Sequence, residues 1–371
     1  MYRAICDCLC PAEVSHEKVK TMTDKLFDPD DVSVSNGCYY ALPYTCDQSD
    51  LLLLSVPWDV TASYGGGASS GPDAMIEASE QIDLYDYHFG DIYRRGIATL
   101  PIDETILEES RVYRNDARKV MAHLSEGGAV KGETARRIAR INAASAALNE
   151  KIYRMTFEYM SEGKIVGLVG GDHSTPLGYM RAVGERHGPF GILHIDAHAD
   201  LREAYEGFTY SHASIMYNAL REVGGLERLT QVAVRDYCRA EADLMERDER
   251  VVTFFDADMA AQRMCGTTWQ DICRRIVSTL PQKVYVSFDI DGLSPDNCPS
   301  TGTPVPGGLS FNEAVFLIDS LVSSGRTIVG FDLCEVAPDG SNGDNMWDAN
   351  VGARMLYKLC GFTLKSNPKR E

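Results

Sequence analysis

The chain has 371 residues, 44% of them hydrophobic and 24% charged, with no biased tract, so it can bury a large core. Its net charge of −18, from 36 basic and 54 acidic side chains, argues against a nucleic-acid partner, which needs a basic surface; it would suit metal ions or a cationic substrate, but is first of all the acidic surface that keeps many proteins in solution. The longest apolar stretch, around Leu51 to Val56, is far too short to cross a membrane, and the N-terminus shows no long apolar segment of a secretory signal. The eleven cysteines, odd in number and scattered, read as the reduced thiols of a cytoplasmic protein.

Residues 1–49 are mixed and weakly periodic, and are read as an N-terminal extension with a short helix over 17–26. Residues 50–371 are read as one domain. It opens with a strand over 51–56 and helices over 72–84 and 134–159. Strand 165–169, helix 177–186, strand 190–195, helix 214–221, strand 231–234 and helix 240–248 follow. Strand 251–255, helix 269–279, strand 284–288, helix 312–323, strand 327–333 and helix 347–359 complete it. Several strands are continuously apolar, the pattern of strands covered on both faces. With the strand–helix alternation, this predicts a three-layer α/β/α fold around a central, mostly parallel sheet.

In open sheets of this kind, ligands bind beyond the carboxyl ends of the strands. Three strand ends carry the chemistry. Strand 165–169 runs into Gly170-Gly171-Asp172-His173-Ser174, strand 190–195 into Asp196-Ala197-His198-Ala199-Asp200, and strand 284–288 into Asp289-Ile290-Asp291-Gly292. Extended backbone puts i, i+2 and i+4 on one face, so Asp196, His198 and Asp200 converge, as do Asp289 and Asp291. Two glycines before His173 permit a tight turn and a close approach. Four carboxylates and two imidazoles suit Mn²⁺, Ni²⁺, Fe²⁺ or Co²⁺, and exceed what one catalytic ion needs; they fit two ions if carboxylates are shared. One aspartate after a strand is usually a turn residue, and Asp172 is read that way, supporting its neighbours by hydrogen bonding.

These three segments resemble the signatures of the ureohydrolase family, which includes arginase and agmatinase, over residues 50–360. The resemblance implies His173, Asp196, Asp200 and Asp289 around one ion and Asp196, His198, Asp289 and Asp291 around the other, with Asp196 and Asp289 shared. It implies Mn²⁺, or Ni²⁺ as in some members, and a trimer or hexamer. Glu335, in Cys334-Glu335-Val336-Ala337-Pro338, resembles the family's guanidinium-binding glutamate. His212, in Tyr210-Ser211-His212-Ala213-Ser214, resembles its proton-shuttling histidine. The implied reaction releases urea: a hydroxide bridging the ions attacks the guanidinium carbon, Asp200 takes the remaining proton, and His212 protonates the departing nitrogen.

The stretch Gly207-Phe208-Thr209-Tyr210-Ser211 departs from the Ser-Gly-Asn-type text of arginases, and His212-Ala213-Ser214 from the His-Gly-Thr of agmatinases. The local text resembles the guanidine-hydrolase branch. Tyr205, Phe208, Tyr210 and Trp347 are candidates to narrow the pocket around a small cation, with Tyr210 and Trp347 expected to touch the substrate. Guanidine or a small guanidino compound is the expected substrate and agmatine the alternative, with a non-catalytic family member a further one. A dinuclear phosphoesterase would leave Glu335 unexplained.

Overall fold

The apolar runs fold into strands β1 (Leu51–Val56), β2 (Ile97–Thr99), β3 (Ile165–Gly170), β4 (Phe190–Ile195), β5 (Leu226–Val234), β6 (Val251–Phe255), β7 (Lys283–Asp289) and β8 (Thr327–Cys334). Between them lie helices α1 (Gly71–Ser79), α2 (Glu104–Ser125), α3 (Gly132–Ser161), α4 (Leu177–His187), α5 (Ile215–Glu222), α6 (Arg239–Arg247), α7 (Asp256–Met264), α8 (Trp269–Ser278), α9 (Phe311–Ser323) and α10 (Trp347–Ser366). This computed structural model describes residues 27–342 and 345–369, so the helix expected over 17–26 and Cys6, Cys8 and Cys10 lie outside the described residues.

All strands pair in parallel, in the order β2-β1-β3-β8-β7-β4-β5-β6. The continuous apolar runs have the cause expected of them. In β1, Leu51 and Leu53 enter the core under α1, α8, α9 and α10, while Leu52 and Leu54 enter the core under α2 to α5. Successive side chains point to opposite faces, and both faces are covered by helices. The fold is therefore the expected three-layer α/β/α arrangement, with a sheet parallel throughout the described residues. No helix among the described residues is long and apolar enough to cross a membrane. Cys273, Cys298, Cys334 and Cys360 are buried thiols outside any disulfide.

Three elements depart from the sequence expectation. The edge strand β2 has three residues, too few to show a period. α7 buries only Met259, so it has no apolar stripe. α2 fills its inward face with Ser110, Arg114 and Asp116 as well as Ile106, Ala117, Val120 and Met121, and these polar residues break its apolar period. Residues before the domain also reach the core: Tyr39, Tyr40 and Leu42 are buried, and the Tyr40 hydroxyl donates to the Ala353 carbonyl of α10 at 2.9 Å.

Candidate metal centre

The strand order brings the chemistry together. β3, β8, β7 and β4 are neighbours at the middle of the sheet, though far apart in sequence. Register pairs Val169 with Leu333, Phe288 with Ile195 and Asp289 with Cys334, so the four carboxyl ends stop at one level. His173 leaves β3, Glu335 leaves β8, Asp289 and Asp291 leave β7, and Asp196, His198 and Asp200 leave β4.

Glycine lets these ends crowd. A Cβ at Gly171 would stand 2.1 Å from the Trp58 carbonyl oxygen, and one at Gly292 would stand 2.8 Å from the Asp196 nitrogen. Close approach is the need at Gly170-Gly171, since neither residue takes a positive φ.

His173 Nδ1 lies 3.1 Å from Asp196 Oδ2, 3.2 Å from Asp289 Oδ2 and 3.3 Å from Asp200 Oδ2. A second group stands beside it, with His198 Nδ1 3.1 Å from Asp291 Oδ2 and 3.5 Å from Asp196 Oδ1. Neighbouring donors on an octahedral ion with bonds of about 2.1 Å are roughly 3 Å apart. Carboxylates do not otherwise converge in a buried space without a balancing charge. Among the described residues, His173, His194, Asp196 and Asp200 offer ligand atoms within 4.8 Å of one another, as do Asp196, His198 and Asp291, so Asp196 belongs to both groups, and Asp289 Oδ2 reaches the first through His173 Nδ1.

The electrostatics agree. Burial, then Asp291 and Asp196, push the Asp289 carboxyl well above the usual carboxylate range. Burial, then Asp196, push Asp200 up to about 6. Burial would lower the His198 imidazolium, but facing Asp291 and Asp196 raise it to about 12. The cluster thus holds positive charge strongly, as protons or as cations.

Backbone amides aim the carboxylates. His198 N donates to Asp196 Oδ1 at 2.6 Å, Ala197 N to Asp291 Oδ1 at 3.1 Å and Asp291 N to Asp289 Oδ1 at 2.9 Å. Behind the cluster, Ser287 Oγ gives its hydrogen to Asp332 Oδ1 at 3.1 Å and so accepts from His173 Nε2 at 2.9 Å. This leaves Nδ1 of His173 as the nitrogen facing the carboxylates. Asp172 is a support: it accepts from Thr61 N and Oγ1 at 3.1 and 2.9 Å and from Ser174 N at 3.1 Å.

Glu335 is buried beside the cluster and accepts from His173 N through Oε1 at 3.0 Å. Its Oε2 faces Gly302, where an added Cβ would stand 3.5 Å away. Gly65 N donates to the Gly302 carbonyl at 3.2 Å, which brings the 63–67 loop to the same opening. His212 stands half-buried across from Ser63, with Nε2 3.5 Å from Oγ, and its backbone N donates to Thr61 Oγ1 at 3.1 Å. Burial, then His198 and Arg114, hold its imidazole down to about 3, so it is neutral near pH 7.

The aromatic residues divide. Tyr205 meets the His212 ring edge-on at 6.2 Å. Phe208 is a fully buried core residue. The Tyr210 hydroxyl pairs with Glu222 of α5, so the structure does not bring it to the carboxylates. Trp347 is half-exposed at the start of α10, with its indole N–H on the Asp296 carbonyl at 2.9 Å. Sequence reasoning missed Ser63, Gly65, Thr61 and Gly302, which come from loops without a strand-end signal.

The arginase family model matches residues 49–361, and the chain belongs to that family. The N(1)-aminopropylagmatine ureohydrolase of Synechocystis sp. is 30% identical over 86% of this chain and 91% of that protein. The agmatinase of Neisseria meningitidis is 28% identical over 85% of this chain and 89% of that protein. Among solved structures, the agmatine ureohydrolase of Thermoplasma volcanium superimposes with a TM-score of 0.67 at 23% identity, covering 90% of this chain and 96% of that one. The arginase of Medicago truncatula does so with 0.63 at 22% identity, covering 85% and 87%. The chain is accordingly a ureohydrolase, a hydrolase acting on amidino C–N bonds.

Proposed function

We propose that the chain hydrolyses guanidine or a small guanidino compound to urea, using two divalent ions, Mn²⁺ or Ni²⁺. The observation that carries this reading is the ring of three carboxylate oxygens around His173 Nδ1, beside a buried carboxylate, Glu335, with one oxygen left open. His173, Asp196, Asp200 and Asp289 would hold one ion, and Asp196, His198, Asp289 and Asp291 the other. When bound, the ions supply a water activated near neutral pH and stabilise charge developing at the guanidinium carbon.

The protein's own groups do the rest. Glu335 Oε2 binds the cation through charge-assisted hydrogen bonds and turns its carbon toward the metal ligands. Asp200 receives the proton left on the attacking oxygen. His212, neutral at rest, relays the proton released when the attacking water ionises to the departing nitrogen. Gly302 and Gly65 wall the space opposite Glu335 with backbone, and Tyr205 presses on His212, so a small cation is favoured. Tyr205 thereby takes the pocket-narrowing role expected of it.

Agmatine is the second reading, favoured by relatives named agmatinase and aminopropylagmatine ureohydrolase that match over most of the chain. Urea release from protein loaded with Mn²⁺ or Ni²⁺ separates the two, with guanidine, agmatine, arginine and guanidinobutyrate compared side by side. Guanidine is expected to give the highest kcat/KM. Preference for agmatine would keep the reaction and remove the small-substrate reading.

A further inference from the structure

One polar row crosses the sheet just beneath the carboxylates. Register pairs His194 of β4 with Gln231 of β5, and Gln231 with Thr253 of β6. His194 and Gln231 are completely buried, and a buried polar side chain must find partners. They find each other. Thr253 Oγ1 donates to Gln231 Oε1 at 3.1 Å, and Gln231 Nε2 stands 3.0 Å from His194 Nδ1 and 2.7 Å from the Ala199 carbonyl oxygen. At the other end, His194 Nε2 stands 2.8 Å from Asp196 Oδ2.

The chemistry of the partners fixes every hydrogen in this chain. A carbonyl oxygen only accepts, so the Gln231 atom facing Ala199 is the amide nitrogen. That nitrogen only donates, so His194 Nδ1 is an acceptor. The ring hydrogen then sits on Nε2 and points at Asp196 Oδ2. His194 lies in β4 and Asp196 is the first residue beyond it, two positions on, so extended spacing puts the two side chains on one face.

The consequence falls on Asp196, the carboxylate common to both donor groups. Its Oδ1 accepts from the His198 backbone N–H, and its Oδ2 from His194. Each carboxylate oxygen offers two lone pairs. One on each oxygen is thereby taken by the protein, and one on each remains. We propose that His194, locked in the Nε2–H form by Gln231 and Thr253, is a positioning residue that turns Asp196 so that its Oδ2 faces His173 and its Oδ1 faces His198, the two groups that would hold the ions. The inference rests on the two-metal reading of the site.

The test is calorimetric titration of Mn²⁺ into metal-stripped full-length protein, with melting of the metal-free form as a control on folding. Wild type is expected to bind two Mn²⁺ per subunit. His194→Leu is expected to weaken both equivalents about 10- to 100-fold, because the shared ligand is loosened, while metal-free melting stays near wild type. His194→Gln, whose amide N–H reaches toward Asp196, is expected to recover most of the affinity. Gln231→Leu leaves His194 in place and removes its lock; weaker Mn²⁺ binding is expected, together with loss of the single Nε2–H signature in ¹⁵N-histidine spectra. This second variant stands if His194→Leu does not fold. Two Mn²⁺ in wild type with unchanged affinity in the folded variants would overturn the positioning role alone. Fewer than two Mn²⁺ in wild type would overturn the two-metal reading and the inference with it.

Discussion

Glu335 has φ of 63° and Asp200 φ of 53°, the left-handed region in which side chains other than glycine, asparagine and aspartate are uncommon. Such a conformation costs on the order of 1–3 kcal/mol and persists only where the surroundings over-determine it. Glu335 is held at three points: its N–H donates to the Gly171 carbonyl at 2.8 Å, Thr301 Oγ1 donates to its own carbonyl at 2.8 Å, and its Oε1 accepts from His173 N. The strain aims Oε2 at the opening by Gly302. Glu335→Gln retains the acceptor toward His173, so the variant is expected to fold and bind metal with wild-type stoichiometry. Without the carboxylate charge its kcat/KM should fall by about 100-fold or more. Metal analysis and urea release on the same preparation check this, and normal turnover would remove Glu335 from the mechanism.

At the scale of elements, α2 is the instructive one. Its inward residues at 106, 110, 114, 117 and 121 keep a helical spacing, yet two of the five are Ser110 and Arg114. Those polar positions are spent on tertiary contacts. Arg114 Nη1 donates to the Val60 carbonyl at 3.2 Å and also reaches that of Ala62, while Nη2 donates to that of Gly65 at 3.0 Å. Asp116 pairs with Arg140 of α3 at 2.8 Å. The Arg114 fork therefore fixes the 60–65 loop that carries Thr61 and Ser63 to His212. Arg114→Met is expected to lower stability by roughly 2 kcal/mol, through unpaired buried carbonyls, and to raise KM more than it lowers kcat. Arg114→Lys should not restore KM, because an ammonium lacks the planar fork. Denaturation curves and steady-state kinetics read both, and an unchanged KM would show that the loop holds itself.

At the scale of the whole molecule, one buried imidazole far from the carboxylates ties stability to pH. His187 closes α4 at the end of the sheet away from the carboxylate cluster. Burial, then Lys283 and Arg186, lower its imidazole from the ordinary 6.5 to about 4. Between those values the unfolded chain binds a proton that the folded chain refuses, so stability falls as pH drops from 6.5 to about 4 and levels off below. His187→Gln should flatten that part of the curve. Chemical denaturation of metal-free protein at pH 4.5 and 7 measures it; an identical pH slope in the variant would show that His187 is not the source.

The sequence by itself determined the strands β1 and β3 to β8, the parallel α/β class and the gathering of carboxylates and imidazoles at three strand ends. These follow from local chemistry: an apolar run stops where polar residues begin, and i, i+2 spacing puts Asp196 and His198 on one face. Only the tertiary structure decided which strand ends meet. β7 and β8 enter between β3 and β4, and nothing within any one strand specifies its neighbour. Strand pairing and register are set by buried faces distant in sequence. For the same reason the His194–Gln231–Thr253 row, the Arg114 fork and the Gly65–Gly302 contact were illegible in the linear text. Each joins residues from separate elements, and each becomes visible only when the sheet is assembled.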